Sequence, residues 1–398
     1  MWLTMRIRPV IASVAALILL CSCGGTETST ADSIDPSKLD SGNYPTAPVD
    51  VETLRTATSG ELREALNIAT NTPIPFEYDP RFGYGSFDGR KQFVTTETPP
   101  EFVDSGIGSR QFTKEIAGLV AGWYVLGYRR ELPDLGRGIE TYTLRFETPE
   151  FARLAAQKLT AGSPGSPIRI DGHPDAISKT TPLEPFHSAT VRALLPHEDM
   201  LLYIQVSDSV SRPFDPVDSA AIAKRFLDAQ VDRLKSYKRT PLAEIRNLPM
   251  DVDGMLSRTL PDSEPNSRTA VYPVRAAISM AKEPLAFGPA YTDAGVDYIV
   301  SRGGAFVYRA RDEAAADRLS NAFDKKNKDD SGLLPADPPP NLPTAQCYSM
   351  DPNAKVTKNT PPSCRIVVGR YVARIGGANL QDTYQRTAAQ YKLLVGAN

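Results

Sequence analysis

Apolar and polar positions alternate along the chain in two stretches of strand and helix character, separated and preceded by polar, proline-rich sequence. In the first stretch, Ser59 to about Ile68 has helical spacing. Trp123–Arg129 and Glu140–Phe146 are runs of aromatic and β-branched residues and predict strands. Thr148-Pro149 then supplies an N-cap and a first helical residue, and Phe151, Ala155 and Leu159 make the buried stripe of the helix that follows. A linker containing GSPGSP leads to a hairpin, Ala189–Leu195 and Met200–Val206 about a turn at Pro196–Asp199. A long helix, about Pro216 to Tyr237, closes the stretch on the stripe Ala220, Ala223, Leu227, Val231 and Leu234.

The second stretch repeats this order. Val296–Val300 and Ala305–Tyr308 predict strands about a Gly303-Gly304 turn. Asp312 can cap a helix through Phe323 with Ala315, Leu319 and Phe323 buried. A linker, LLPADPPPNLP, precedes a strand carrying Cys347. RIVVGRYVARI, Arg365 to Ile375, reads as one further strand, and Leu380 to Val395 as the last helix with stripe Leu380, Tyr384, Ala388, Tyr391 and Val395. TYTLRFETPEFARLAAQKL lies over AFVYRARDEAAADRLSNAF. The prediction is an α+β protein of two tandem β-β-α-β-β-α units, with antiparallel sheets covered by helices on one face. Its parts are an N-terminal unit over residues 56–240 and a C-terminal unit over 241–398. Whether the sheets merge or stay apart is not fixed by the pattern.

What precedes these units is of a different kind. Arg6 and Arg8 precede an apolar run, Pro9 to Leu20, shorter than the roughly 20 residues a spanning helix needs and of signal-peptide length. Leu20-Cys21-Ser22-Cys23 places an aliphatic residue three before Cys23 and a small one directly before it, the pattern of a lipoprotein cleavage site. Residues 1–22 are therefore expected to be removed, and Cys23 to take the lipid. Residues 23–55, rich in Ser, Thr, Asp and Pro, lack the apolar side chains that offset ordering entropy and are expected to form a disordered tether. Two or three acyl chains hold firmly, so the expected location is the outer face of the plasma membrane.

The charge balance, 45 basic against 47 acidic residues, gives no case for nucleic acid as a partner. Of the 4 cysteines, Cys21 leaves with the signal and Cys23 is acylated. Cys347 and Cys364 remain as a pair in an oxidising compartment, flanking a Pro/Asn/Lys loop. Their spacing is not CxxC, so a structural disulfide, worth roughly 3 kcal/mol through the loop it closes, is favoured over a redox pair.

Four phrases, LDSGNYPTAP (39–48), AGVDYIVSRGGAFVYRARD (294–312), GRYVAR (369–374) and AAQYKLLV (388–395), resemble an uncharacterised family of secreted lipoproteins from mycolic-acid-containing actinobacteria. The resemblance implies a two-part domain of unknown function with the two C-terminal cysteines bonded. It implies no catalytic residues.

Candidate chemistry is sparse. The 3 histidines, His173, His187 and His197, have no HExxH or HxxxH spacing and read as turn residues. No serine sits in GxSxG, no GxGxxG follows a strand, and no P-loop is present. FGYGSFDG reads as a surface loop. Trp123, Tyr124, Tyr128, Tyr142 and Phe146 form ordinary sheet core, or line a pocket for an apolar ligand such as an envelope lipid. The expectation is a non-enzymatic binding or interaction protein without metal or cofactor. Its partner would be an envelope lipid, a glycan or another exported protein, met in a cleft between the halves. A lipid or small-ligand carrier with an apolar cavity is one alternative, and an envelope hydrolase using acidic residues is another.

Overall fold

The computed structural model describes residues 34–85, 92–102, 107–183, 188–261, 269–329, 332–351 and 361–397. The signal segment 1–22 and Cys23 lie outside the described residues, as does His187.

The period-2 runs of the first half form β2 (Leu119–Tyr128), β3 (Arg137–Phe146), β6 (Ser188–His197) and β7 (Met200–Asp208). With β1 (Phe93–Val94), β4 (Ser166–Pro167) and β5 (Ile177–Leu183) they make an antiparallel sheet of order β1-β2-β3-β7-β6-β5-β4. The second half supplies β8 (Val271–Pro273), β9 (Tyr298–Arg302), β10 (Ala305–Arg309), β11 (Leu333–Ala336), β12 (Gln346–Met350), β13 (Ser363–Val368) and β14 (Tyr371–Gly376). Its order is β8-β9-β10-β14-β13-β12-β11, the first sheet repeated strand for strand. The helices repeat too. Helix α4 (Pro149–Ala161) follows β3 as α9 (Glu313–Asp329) follows β10. Helix α5 (Pro216–Leu234) follows β7 as α10 (Leu380–Leu394) follows β14.

The duplication extends to single residues. Thr148 Oγ1 accepts from Phe151 N at the start of α4, and Asp312 Oδ1 accepts from Ala315 N at the start of α9, the predicted caps. The turn before β5 carries bonds from His173 N to Ile170 O and from Ala176 N to His173 O. The turn before β12 has the same pair, Leu342 N to Pro339 O and Ala345 N to Leu342 O. Each last helix buries one glutamine completely. Gln230 accepts from Thr143 Oγ1 and donates to Asn71 O; Gln390 accepts from Leu260 N and donates to Arg258 O. A buried amide left without such partners would cost about 1–3 kcal/mol.

Several sequence expectations are corrected. RIVVGRYVARI is a hairpin, β13 and β14, turning at Gly369 (φ 52°), where β6 and β7 turn at Glu198 (φ 52°). The linkers holding GSPGSP and LLPADPPPNLP contain the edge strands β4 and β11, where a proline removes no ladder bond that the edge needs. The first sheet carries helices on both faces. Helix α1 (Ser59–Thr70) and α5 pack on the Trp123 and Val125 side, and α3 (Ser109–Glu115) and α4 on the Tyr124 and Tyr142 side.

Within the expected tether, residues 36–55 form a packed strap. Leu39 and Val51 are buried, and Val49 N donates to Ser257 O. Lys392 Nζ donates to Leu39 O (2.9 Å), Gln385 to Asp40, and Tyr44 to Asp382, all on α10. Local composition is polar here because the strap is held largely by hydrogen bonds to α10, at the other end of the chain.

The sheets stay separate, yet residues 36–398 form one compact unit. Between the halves lie α2 (Pro75–Tyr78), α6 (Leu242–Ile245), α7 (Val274–Ser279) and α8 (Pro284–Asp293). One apolar core runs from Leu66, Ile68 and Trp123 of the first half to Ala270, Tyr272 and Ala276 of the second.

Candidate functional site

Strand alternation divides the predicted aromatic group. Trp123 faces α1 and α5, whereas Tyr124, Tyr142 and Phe146 face α3 and α4. Tyr124, Tyr142 and Tyr203 stand in register across β2, β3 and β7. Their rings are 4.5 Å and 5.8 Å apart, and Phe102 lies over Tyr142 and Tyr203 at 5.1 and 4.8 Å. This is mostly core. At its edge a cavity of about 560 Å³ opens between the sheet and residues 97–102, where Glu97, Glu101, Glu140 and Gln205 surround the tyrosines. Glu101 accepts from Ser109 Oγ (2.7 Å), and Gln205 Oε1 accepts from Tyr203 OH (3.0 Å) and Arg192 Nε (3.2 Å).

The seam between the halves holds two larger cavities. One, about 690 Å³, is lined by α1 through Arg63, Leu66 and Asn67 and by Leu248, Pro273, Val274 and Tyr298. The other, about 820 Å³, lies among α2, α7 and α8, lined by Ile74, Phe76, Ile278, Leu285, Gly288 and Tyr291. Val274, Arg275 and Val296 line both. Arg275 is fixed there, donating to Thr70 O, Thr72 O and both oxygens of Glu77. Burial works against the Glu77 carboxylate, but the Arg275 hydrogen bond and the Ile74 N–H hold its pKa below the usual range.

Two buried charge networks flank these spaces. Glu64, wholly buried in α1, accepts from Arg145 Nη1 (2.6 Å), Tyr237 OH and Thr240 Oγ1 (2.7 Å). Arg145 and Arg239 meet again at Asp199. Burial and the adjacent Glu64 raise the Tyr237 phenol far above its ordinary value. Nearer α5, Asp79 binds Arg81 and Arg225, and Asp208 binds Arg137. For both carboxyls burial is outweighed by donated hydrogen bonds, and each is held at about 2. Every carboxylate in these networks is paired with at least one arginine.

The predicted cysteine pair is bonded, Cys347 to Cys364, directly opposite across β12 and β13. His173 Nε2 lies 2.9 Å from Asp228 Oδ1 and occupies the turn position that Leu342 fills in the second half. His197 ends β6 beside Met200. Of FGYGSFDG, Phe82 is core, Tyr84 exchanges backbone hydrogen bonds with Tyr128, and Gly85 N donates to Lys282 O across the seam; residues 86–89 lie outside the described residues. Among the described residues no group of His, Cys, Asp and Glu is placed to hold a metal, and no helix is long and apolar enough to cross a membrane. Sequence reasoning did not single out Arg63, Arg275 or Glu64.

No curated protein sequence matches the chain. The extracellular domain of PknH from Mycobacterium tuberculosis is similar in structure at a TM-score of 0.28 and 12% identity, over 47% of this chain and 99% of that one. Two family models match consecutive parts, residues 51–250 with the N-terminal and 255–397 with the C-terminal domain of unknown function DUF7373. The two matches meet at the connection between the two sheets, and the chain belongs to the DUF7373 family.

Proposed function

We propose that the protein is a non-enzymatic binding protein, tethered by lipid at Cys23 to the outer face of the plasma membrane, whose ligand sits at the seam between its halves. The carrying observation is the pair of neighbouring seam cavities that share Val274, Arg275 and Val296. Concave, mainly apolar sites with a few fixed polar groups, placed where two halves meet, are usual ligand locations. The export signal and the Cys347–Cys364 bridge support an oxidising location outside the cytoplasm.

Native mass spectrometry of the protein purified from host envelope tests the reading. A co-purifying small molecule is expected, and Gly288→Phe should abolish it. A Cβ on Gly288 meets only Ile278 methyl groups at 3.9 Å or beyond, so the ring fills the cavity rather than the core. A ligand retained by Gly288→Phe would move the seat elsewhere. Palmitate-analogue labelling of the native chain, lost in Cys23→Ser, tests the anchor.

The hydrolase reading is favoured by one observation, the three glutamates around the tyrosine pocket. Glu101→Gln and Glu140→Gln variants assayed on envelope glycan would decide it. No turnover by the native chain removes that reading.

A further inference from the structure

Arg63 is the unusual charge of the seam. It lines the 690 Å³ cavity and is half-buried. Its one described hydrogen bond runs from Nη1 to Val271 O at 3.0 Å. Among the described residues it has no salt bridge, although carboxylates are near. Asp297 lines the same cavity but is held by Arg309 at 2.8–3.1 Å. Glu64 is saturated by Arg145, Tyr237 and Thr240. Asp251 accepts from the backbone N–H groups of Val252, Leu256 and Ser257. Burial pulls the Arg63 guanidinium below its ordinary pKa, and Tyr298 and Asp251 only partly offset this. A partly desolvated guanidinium keeps its charge and offers a planar donor fork suited to carboxylate or phosphate.

Beyond this head, the walls turn apolar. Val274 and Val296 lead into the larger cavity, where Ile278, Leu285 and Tyr291 take over. Leu285 is 47% exposed, an apolar side chain at the open side. We propose that the seam takes an anionic amphiphile, its single carboxylate or phosphate head on Arg63 and its hydrocarbon body along Val274 and Val296 towards α8. This rests on the reading of the seam as the ligand seat and adds the ligand's chemical class.

The test is fluorescence titration of the mature chain with cis-parinaric acid and, separately, its methyl ester, with dodecyl phosphate as competitor. The acid should bind, dodecyl phosphate should displace it, and the ester should bind at least tenfold more weakly. Arg63→Gln should weaken the acid at least tenfold and leave the ester unchanged, while Arg63→Lys keeps most of the affinity. Circular dichroism of each variant separates lost binding from lost folding. Equal binding of acid and ester, unaffected by Arg63→Gln, would overturn the head-group assignment and leave the seam reading standing. Acid binding that survives Gly288→Phe would overturn both. A natively folded chain that binds neither acid nor phosphate overturns the ligand class alone.

Discussion

Trp123 Nε1 donates a hydrogen bond to Ser279 Oγ at 3.1 Å, both side chains buried, and so joins β2 of the first sheet to the last residue of α7 in the second half. The chain has 2 tryptophans, and removal of residues 1–22 would take Trp2 with them. Tryptophan fluorescence of the mature chain therefore reports this contact alone. Ser279→Ala leaves the buried indole N–H without its acceptor and should cost about 1–3 kcal/mol in urea titration. Because the seam is continuous core, fluorescence and far-ultraviolet circular dichroism should give one shared midpoint. Two separate midpoints would show that the halves unfold independently.

Glu64 is the hub of a buried network, so its loss leaves Arg145 in a dry interior with only Asp199, at 3.3 Å, as a counter-charge. Glu64→Ala should destabilise by about 3–5 kcal/mol. Glu64→Gln keeps one acceptor oxygen for Arg145 and Tyr237, while its amide can donate to the Thr240 hydroxyl, and should cost less. Urea midpoints of the two variants check the order; equal losses would mean that the charge on Glu64 accounts for the whole effect and that the amide retains none of the network.

Acid should act through Asp79 and Asp208. Both carboxyls are held at about 2, against 3.8 for an unperturbed aspartate. A depressed carboxyl stabilises the fold above its unfolded pKa, and the stabilisation disappears as pH falls from about 4 towards 2. Each should contribute on the order of 2 kcal/mol at neutral pH. Asp79→Asn should flatten the pH dependence of thermal unfolding in that window. An unchanged slope in the double variant Asp79→Asn/Asp208→Asn would refute the assignment.

The duplication gives a design prediction. Cys347 and Cys364 pair across β12 and β13, and in the first half the same two register positions are Ser178 and Ala193, paired across β5 and β6. Ser178→Cys/Ala193→Cys should form a second bridge under oxidising expression and raise stability by up to about 3 kcal/mol. Thiol titration before and after unfolding detects it. Two free thiols in the folded double variant would mean that the halves are less alike than their strand order.

What the sequence revealed depended on how far away each residue's partners lie. Strands β2, β3, β6 and β7 and helices α4, α5, α9 and α10 carry their own apolar periods, because both faces of the sheet press on their side chains. Strands β4 and β11 sit at sheet edges with exposed or half-exposed residues, so nothing selects an apolar period there, and their prolines imitate linkers. Gly369 looked like one residue within a long strand, yet its positive φ folds that segment back on itself. At the seam, Arg63 and Arg275 carry no local pattern, since their surroundings are assembled from helix α1 and from β8 and α7 about two hundred residues later.

The strap over residues 36–55 sets an order of events. Leu39 O receives its hydrogen bond from Lys392, 353 positions later. During synthesis this early segment has no seat until the last helix has been made and has settled on its sheet. Docking of the strap is thus a closing step, and a chain shortened by its final helix would leave Tyr44, Asp40 and Leu39 with nothing to hold.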